Sequence, residues 1–285
     1  MRYFCWATLS RLHSGIVFLF CFASFSLSVD STIEGTPQRS PPSALPSFPF
    51  PTDPDDHCES PAISYKDIAP LLSILAKWDC NGKVDTLPIY DPYYCNGAVV
   101  RNLSSLGFTL VTNKKEDCYH MWKNHSKQYP SHRALVTNPP YSSDHLERLL
   151  SHVFSSDTSS GCVMTGRAWF LLMPVWVHKR KYYRHLIDTE LSLSSNKNSD
   201  TIIRPFYLVP RKRYVYLPPP GFRKELKSDV HKKSSPFPSM WYVWGGTQKR
   251  TEEMIKCFET SEAASRCHLA RSRAALRDLR RDIKN

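Results

Sequence analysis

The run 168–176 (Ala-Trp-Phe-Leu-Leu-Met-Pro-Val-Trp) is apolar from end to end, and shorter strand-like runs precede it at 87–90, 108–112 and 133–137. A continuous apolar strand has no polar face to give to water, so it belongs inside a sheet covered on both sides. Segments with helical spacing of apolar residues separate these runs. Residues 98–106 read as a helix closed by Gly107. Residues 144–154 read as another, with Leu146, Leu149, Leu150 and Val153 on one face and Ser143 or Asp144 as its cap. Ahead of them, 64–78 places Ile68, Leu71, Leu72, Leu75 and Trp78 at helical spacing, with Ser64 as a cap and Pro70 in its first turns.

Downstream, 203–208 and 213–217 are expected to form an antiparallel pair around Pro210-Arg-Lys. A basic loop, 218–235, leads to a strand at 240–244, and 251–285 reads as one charged amphipathic helix. Strands alternating with helices and then a hairpin describe a doubly wound α/β sheet with an antiparallel edge. In such sheets ligands sit beyond the carboxyl ends of the strands. Two punctuated motifs fall at such ends: Asp91-Pro-Tyr-Tyr-Cys-Asn-Gly97 and Asn138-Pro-Pro-Tyr141. The spacing between them leaves little room for a full third strand.

Four regions follow. Residues 1–29 are a hydrophobic leader, 30–56 a Pro/Ser-rich flexible linker, 57–248 the folded domain and 249–285 a basic C-terminal helix. The leader places Arg2 and Arg11 before an apolar run that ends in small residues, the grammar of a secretory signal peptide. An organelle-targeting leader and an unused extension are the other readings. The leader is short for a membrane span, which needs ~20 apolar residues.

Composition removes other classes. Hydrophobic content of 41% with 14 Phe, 14 Tyr and 7 Trp excludes disorder throughout, and 10 Gly with no short repeat excludes collagen-like, solenoid and propeller folds. The nine cysteines include no pair at metal-ligand spacing, so no metal is expected and free thiols are the plain reading. The net charge of +12 favours a polyanionic partner. It is concentrated in 176–233, which holds 14 Lys and Arg against 5 Asp and Glu. There, Trp176-Val-His-Lys-Arg-Lys-Tyr-Tyr183 and Arg211-Lys-Arg-Tyr-Val-Tyr216 interleave cations with aromatics, a pattern that can hold phosphates and stack bases.

Asn138-Pro-Pro-Tyr141 carries the most chemistry. Two prolines stiffen the backbone. The Asn138 side-chain oxygen and a prolyl carbonyl can then converge on one spot beside an aromatic face. That suits an –NH₂ group on a flat π-system: both N–H bonds are accepted and the ring stacks on Tyr141. A Pro-Pro turn after a strand is the structural alternative.

Asn138-Pro-Pro-Tyr141 resembles motif IV of the class I S-adenosylmethionine-dependent methyltransferases that modify amino nitrogens, especially the N6-adenine group. Asp91–Gly97 resembles that family's motif I. Ser235-Pro-Phe-Pro-Ser-Met-Trp-Tyr-Val-Trp244 is similar to the last strand of its adenine-directed members. The resemblance covers about residues 60–245. It implies a Rossmann-like seven-stranded methyltransferase sheet with an antiparallel C-terminal strand, S-adenosyl-L-methionine as cofactor, and an exocyclic amino group of a nucleobase in RNA or DNA as target. Asn138, Pro139 and Tyr141 would grip the amine. Asp91, Pro92, Tyr93 and Gly97 would line the cofactor, with Asn113 or Asp117 holding its hydroxyls or adenine. Trp176, His178, Lys179, Arg211 and Lys212 would bind substrate. Motif I departs from the family pattern by carrying Cys95 where its first glycine is usual. A glutamine- or lysine-directed protein methyltransferase, a non-catalytic nucleic-acid-binding module and, on the leader alone, a secreted binding protein are the rival readings. The enzyme reading implies an intracellular monomer.

Overall fold

A computed structural model describes residues 48–49, 52, 56–124, 129–155, 166–194, 204–216, 218 and 237–282, with backbone alone at 189–194, 280 and 282. The chain divides between Pro41 and Pro42, and all described residues lie in the second unit. The leader 1–29 and most of the linker 30–56 therefore lie outside the described residues.

The elements run α1 (Ala62–Asp79), β1 (Ile89–Tyr90), α2 (Ala98–Ser104), β2 (Val111–Thr112), α3 (Cys118–Asn124), β3 (Ala134–Thr137), α4 (His145–Val153), β4 (Ala168–Pro174), α5 (Lys181–Ser194), β5 (Phe206–Pro210), β6 (Ser239–Trp244), α6 (Gln248–Glu259), α7 (Ala263–Arg266), β7 (Cys267–Ala270) and α8 (Arg273–Asp282). They build one seven-stranded mixed sheet in the order β2-β1-β3-β4-β6-β5-β7. The first four strands are parallel, and β6 runs antiparallel to both β4 and β5. No strand lies between β2 and β3 among the described residues, in keeping with the short spacing of the two motifs.

Alternate residues of the central strands feed two cores, one on each face. Phe170 and Leu172 of β4 join Trp241 and Val243 of β6 beneath α1, α2 and α6. Trp169, Leu171 and Met173 join Met240, Tyr242 and Trp244 beneath α4, α5 and α8. All seven residues of β4 are buried, which is why its sequence is apolar without alternation. Gly246, just past β6, must be glycine on steric grounds: a Cβ there would lie 2.1 Å from the Gly166 carbonyl oxygen.

Three expectations are corrected. Residues 213–216 form no strand, so there is no hairpin with 203–208. Tyr214 and Tyr216 are buried and Val215 is exposed, which imitates strand alternation. Yet both edges of β5 are taken, by β6 and by β7, and no ladder position remains. The C-terminal segment is not one helix. It is broken into α6, α7, β7 and α8, because the outer edge of β5 has to be covered and residues 267–270 pair with it. The antiparallel strand β6 is consequently interior, and the last strand is β7. Finally, α1 starts at Ala62 behind Pro61; the Ser64 hydroxyl lies inside the first turn, donating to the Pro61 carbonyl at 2.8 Å.

A buried carboxylate ties α1 to the far edge. Asp67, 1% exposed, accepts from Arg266 Nε at 2.7 Å, from the Tyr214 hydroxyl at 2.7 Å and from the Cys267 thiol at 3.3 Å. Three donors on one buried acid hold β7 and the 213–216 segment against α1. Removing the acid strands Arg266 and Tyr214 together. Asp67→Ala is expected to lower the unfolding free energy by about 3 kcal/mol, and Tyr214→Phe by about 1 kcal/mol, in urea titrations followed by tryptophan fluorescence.

Candidate active site

Chain order reverses direction at β1: the chain goes out to β2 on one side and returns to β3 on the other. That leaves a crevice beyond the carboxyl ends of β1 and β3, the switch point where α/β sheets take ligands. Ile89 and Tyr90 pair in register with Ala134 and Leu135. Just beyond that register, the Thr137 hydroxyl reaches the Asp91 carboxyl.

Asp91 organises this crevice. Its Oδ1 accepts from Thr137 Oγ1 at 2.6 Å and from the Tyr93 backbone N–H at 3.1 Å. Its backbone carbonyl accepts from Asn113 Nδ2 at 3.1 Å, and the same nitrogen reaches the Tyr93 carbonyl at 3.3 Å. The turn after β1 is thus held from both neighbouring strands. It leaves into α2 through Gly97, whose φ of 73° is left-handed and favours glycine. Asp91 is buried with neutral donors only, and burial pushes its carboxyl up to about 7 against the pull of those two donors.

Two cavities open here. The larger, ≈ 500 Å³, is walled by Pro92, Tyr93, Tyr94 and Cys95 on one side and by Glu116, Asp117 and Tyr119 on another. Asn138, His145 and Arg148 close a third, and His57 and Cys58 contribute from the N-terminal side. Its volume is in the range of small-molecule sites. A hydrogen-bonded chain runs along it: Tyr93 hydroxyl to Tyr119 hydroxyl at 3.0 Å, and Tyr119 hydroxyl to His145 Nδ1 at 2.5 Å. The Arg148 guanidinium lies 3.3 Å from the Tyr119 ring centre. The smaller cavity, ≈ 30 Å³, lies among Asp91, Gly97, Asn113 and Asn138 under Cys58, Glu59 and Ser60. Asn113 Oδ1, which borders it, is buried without a partner among the described residues. An unpaired buried oxygen beside a buried acid fits a ligand that brings hydroxyls or positive charge.

The six expected cofactor residues and Asn138 meet here. Pro92, Tyr93, Asp117 and Asn138 line the larger cavity, and Asp91, Tyr93, Gly97, Asn113 and Asn138 the smaller. Asp117 also caps α3, accepting from the backbone N–H groups of Tyr119 and His120 at 2.9 and 3.2 Å. Tyr141, Trp176 and Lys179 line a separate groove of ≈ 570 Å³.

Other expectations are corrected. Asn138 Oδ1 does not stand open beside a prolyl carbonyl; it accepts from the Tyr141 hydroxyl at 2.7 Å, which leaves it one lone pair. Pro139 is buried and lines neither cavity. His178 is 3% exposed, its backbone N–H donating to the Tyr242 hydroxyl at 3.0 Å and its ring bonded to the Val175 carbonyl, so it packs in the core. Arg211 and Lys212 are exposed at the end of β5, where Arg211 meets His268 at 3.2 Å. That end is three strand spacings from β3, roughly 14 Å. From the N-terminal side His57 reaches the larger cavity and Tyr65 the smaller, whereas Asp67 is committed to packing.

Four contributors were not anticipated. Glu59 accepts from the first helical N–H of α2, at Ala98, at 3.0 Å and pairs with Arg101 at 3.2 Å. Tyr119, His145 and Arg148 join only through the packing of α3 on α4. The adjacency of Tyr119 to Asp117 was their sole sequence signal.

The raised Asp91 carboxyl has a defined consequence for stability. The folded state binds its proton more tightly than the unfolded chain, whose ordinary value is 3.8. The contribution is fully present below pH 4 and is lost as pH rises through about 7. Asp91→Asn keeps an oxygen for Thr137 and Tyr93 and has no proton to lose. The variant is expected to be more stable than the parent above pH 7, by up to about 4 kcal/mol, and to match it near pH 4, in melts recorded across that range. Comparison of the chain with protein-family models and with curated proteins finds no match.

Proposed function

We propose that the chain is an S-adenosylmethionine-dependent N-methyltransferase acting on an exocyclic amino group of a nucleobase in RNA or DNA. One observation carries the reading: the Thr137–Asp91 hydrogen bond joins the two resembling motifs, so that Asn138 borders both cavities. The sheet order supports it as well, since four parallel strands followed by an inserted antiparallel one fit the Rossmann-like methyltransferase arrangement.

The residues present fit the cofactor. When bound, it supplies a methyl group on a positively charged sulfur, open to attack by an amine. Asp91 and Asn113 would face its cationic and hydroxyl-bearing portions, and the aromatic wall of Tyr93 and Tyr94, with Asp117, would take its adenosine.

The chain's own work is done at Asn138. An exocyclic amine is a poor nucleophile because its lone pair is delocalised into the ring. Accepting an N–H bond at the free lone pair of Asn138 Oδ1 draws the nitrogen toward a tetrahedral shape and frees its own lone pair. The Tyr141 hydroxyl fixes which way the Asn138 amide faces. Tyr141 is therefore a positioning residue as well as a ring to stack on. No strong general base is required, and the rate comes from orientation.

Calorimetric titration should show S-adenosylmethionine binding to the full chain. Asn138→Ala should retain that binding while losing at least a hundredfold in turnover on nucleic acid. Unchanged turnover in that variant rules the mechanism out. Tyr141→Phe keeps the ring and releases Asn138. Its kcat is expected to fall about tenfold with KM nearly unchanged, in tritiated methyl-transfer assays.

Two observations favour a second reading, a non-catalytic nucleic-acid-binding module. The leading N–H of α2 is already occupied by Glu59, and the cavity beside Asp91 is only ≈ 30 Å³. Absence of any thermal shift with S-adenosylmethionine, together with salt-dependent RNA binding, would select that reading.

A further inference from the structure

We propose that the groove between α4 and the Trp176–Arg184 segment is a second binding site, holding the backbone phosphates of a single-stranded polynucleotide beside Tyr141. The inference deepens the methyltransferase reading and rests on it for the role of Tyr141.

The groove has a volume of ≈ 570 Å³ and shares Tyr141 and Ser143 with the turn that follows β3. Lys179, Arg180, Lys181 and Arg184 line it, and all four are exposed. Among the described residues none of the four pairs with a carboxylate. Glu147 is the sole acid in the lining. A short 3-10 turn, Val175–Lys179, runs directly into α5, and this compresses the four cations into less than two helical turns. Arg180 and Arg184 stand four residues apart and are linked through the backbone, Arg184 N–H to Arg180 carbonyl at 3.1 Å. Like charges at that spacing repel. A merely solvated surface would intersperse acids. A row of phosphates turns the repulsion into attraction.

Aromatic surface identifies which polyanion. Trp176 lines the same groove with Arg180 4.6 Å from its ring centre, and Phe237, 42% exposed, meets it edge-on at 6.1 Å. Cations that track a backbone beside rings that take bases, here the half-buried Trp176 and the exposed Phe237, are the two contacts of single-strand recognition. A duplex buries its base faces in the stack. A paired base also has its exocyclic amine engaged in the pair, out of reach of Asn138.

The test uses the full chain and an end-labelled single-stranded oligonucleotide, read by fluorescence anisotropy across a salt series. The triple variant Lys179→Gln/Lys181→Gln/Arg184→Gln is expected to bind at least tenfold more weakly near 0.1 M salt, with a slope of log K against log salt shallower by ~2. Trp176→Ala is expected to weaken binding roughly tenfold and leave the slope unchanged. Thermal melts confirm that both variants fold. S-adenosylmethionine titration of the triple variant should match the parent, because none of these residues lines the two cavities. Parental affinity in the triple variant overturns the proposal. So does equal affinity for the matching duplex, or a loss confined to an acidic polypeptide such as polyglutamate. A parent chain that binds the oligonucleotide but not S-adenosylmethionine overturns the enzyme reading alone.

Discussion

A hydrogen bond between two strand ends, from Thr137 to the buried Asp91 carboxyl, is the contact on which the site depends. Parallel pairing of β1 and β3 puts the two side chains within reach, and burial makes the bond worth keeping: a carboxyl withdrawn from water must find donors. It finds two, both neutral. Its charge is therefore only partly compensated, which leaves an acid that a cationic ligand would complete. Asn113, just past β2, braces the same turn through the Asp91 and Tyr93 backbone carbonyls, so three neighbouring strands meet at one residue.

The rest of the sheet protects that arrangement. Two apolar layers cover the central strands, and the antiparallel half extends the sheet away from the crevice. The far edge is sealed by β7, and Asp67 fastens that edge to α1 on the face opposite α4 and α5. The two buried aspartates thus divide their roles by partner. Asp67 has a guanidinium and lies in a sealed contact; Asp91 has only neutral donors and borders open volume.

Local pattern was a sound guide wherever periodicity and burial agree. The helices at 62–79, 98–104 and 145–153 and the parallel strands follow their apolar spacing, and both motifs stand at strand ends as expected. It misled where a distant partner decides the outcome. Tyr214 and Tyr216 alternate like a strand because two separate buried partners, Asp67 and Ser239, draw their hydroxyls inward. Residues 267–270 carry helix-favouring neighbours yet form a strand because β5 offers an unpaired edge. His178 reads as part of a basic, aromatic surface run, but the 3-10 turn rotates it into the core while Lys179 and Arg180 face water.

By itself, then, the sequence determined the layer architecture, the order of the parallel strands' motifs and the residue types at their ends, because these follow from period, proline and glycine along a few neighbouring positions. Tertiary structure alone decided that Tyr141 turns its hydroxyl onto Asn138, that Glu59 covers the start of α2, and that Tyr119, His145 and Arg148 complete the cavity wall. Each joins groups whose meeting depends on how helices settle on the sheet, and hydrogen-bond direction is chosen only after burial has removed water as a competing partner.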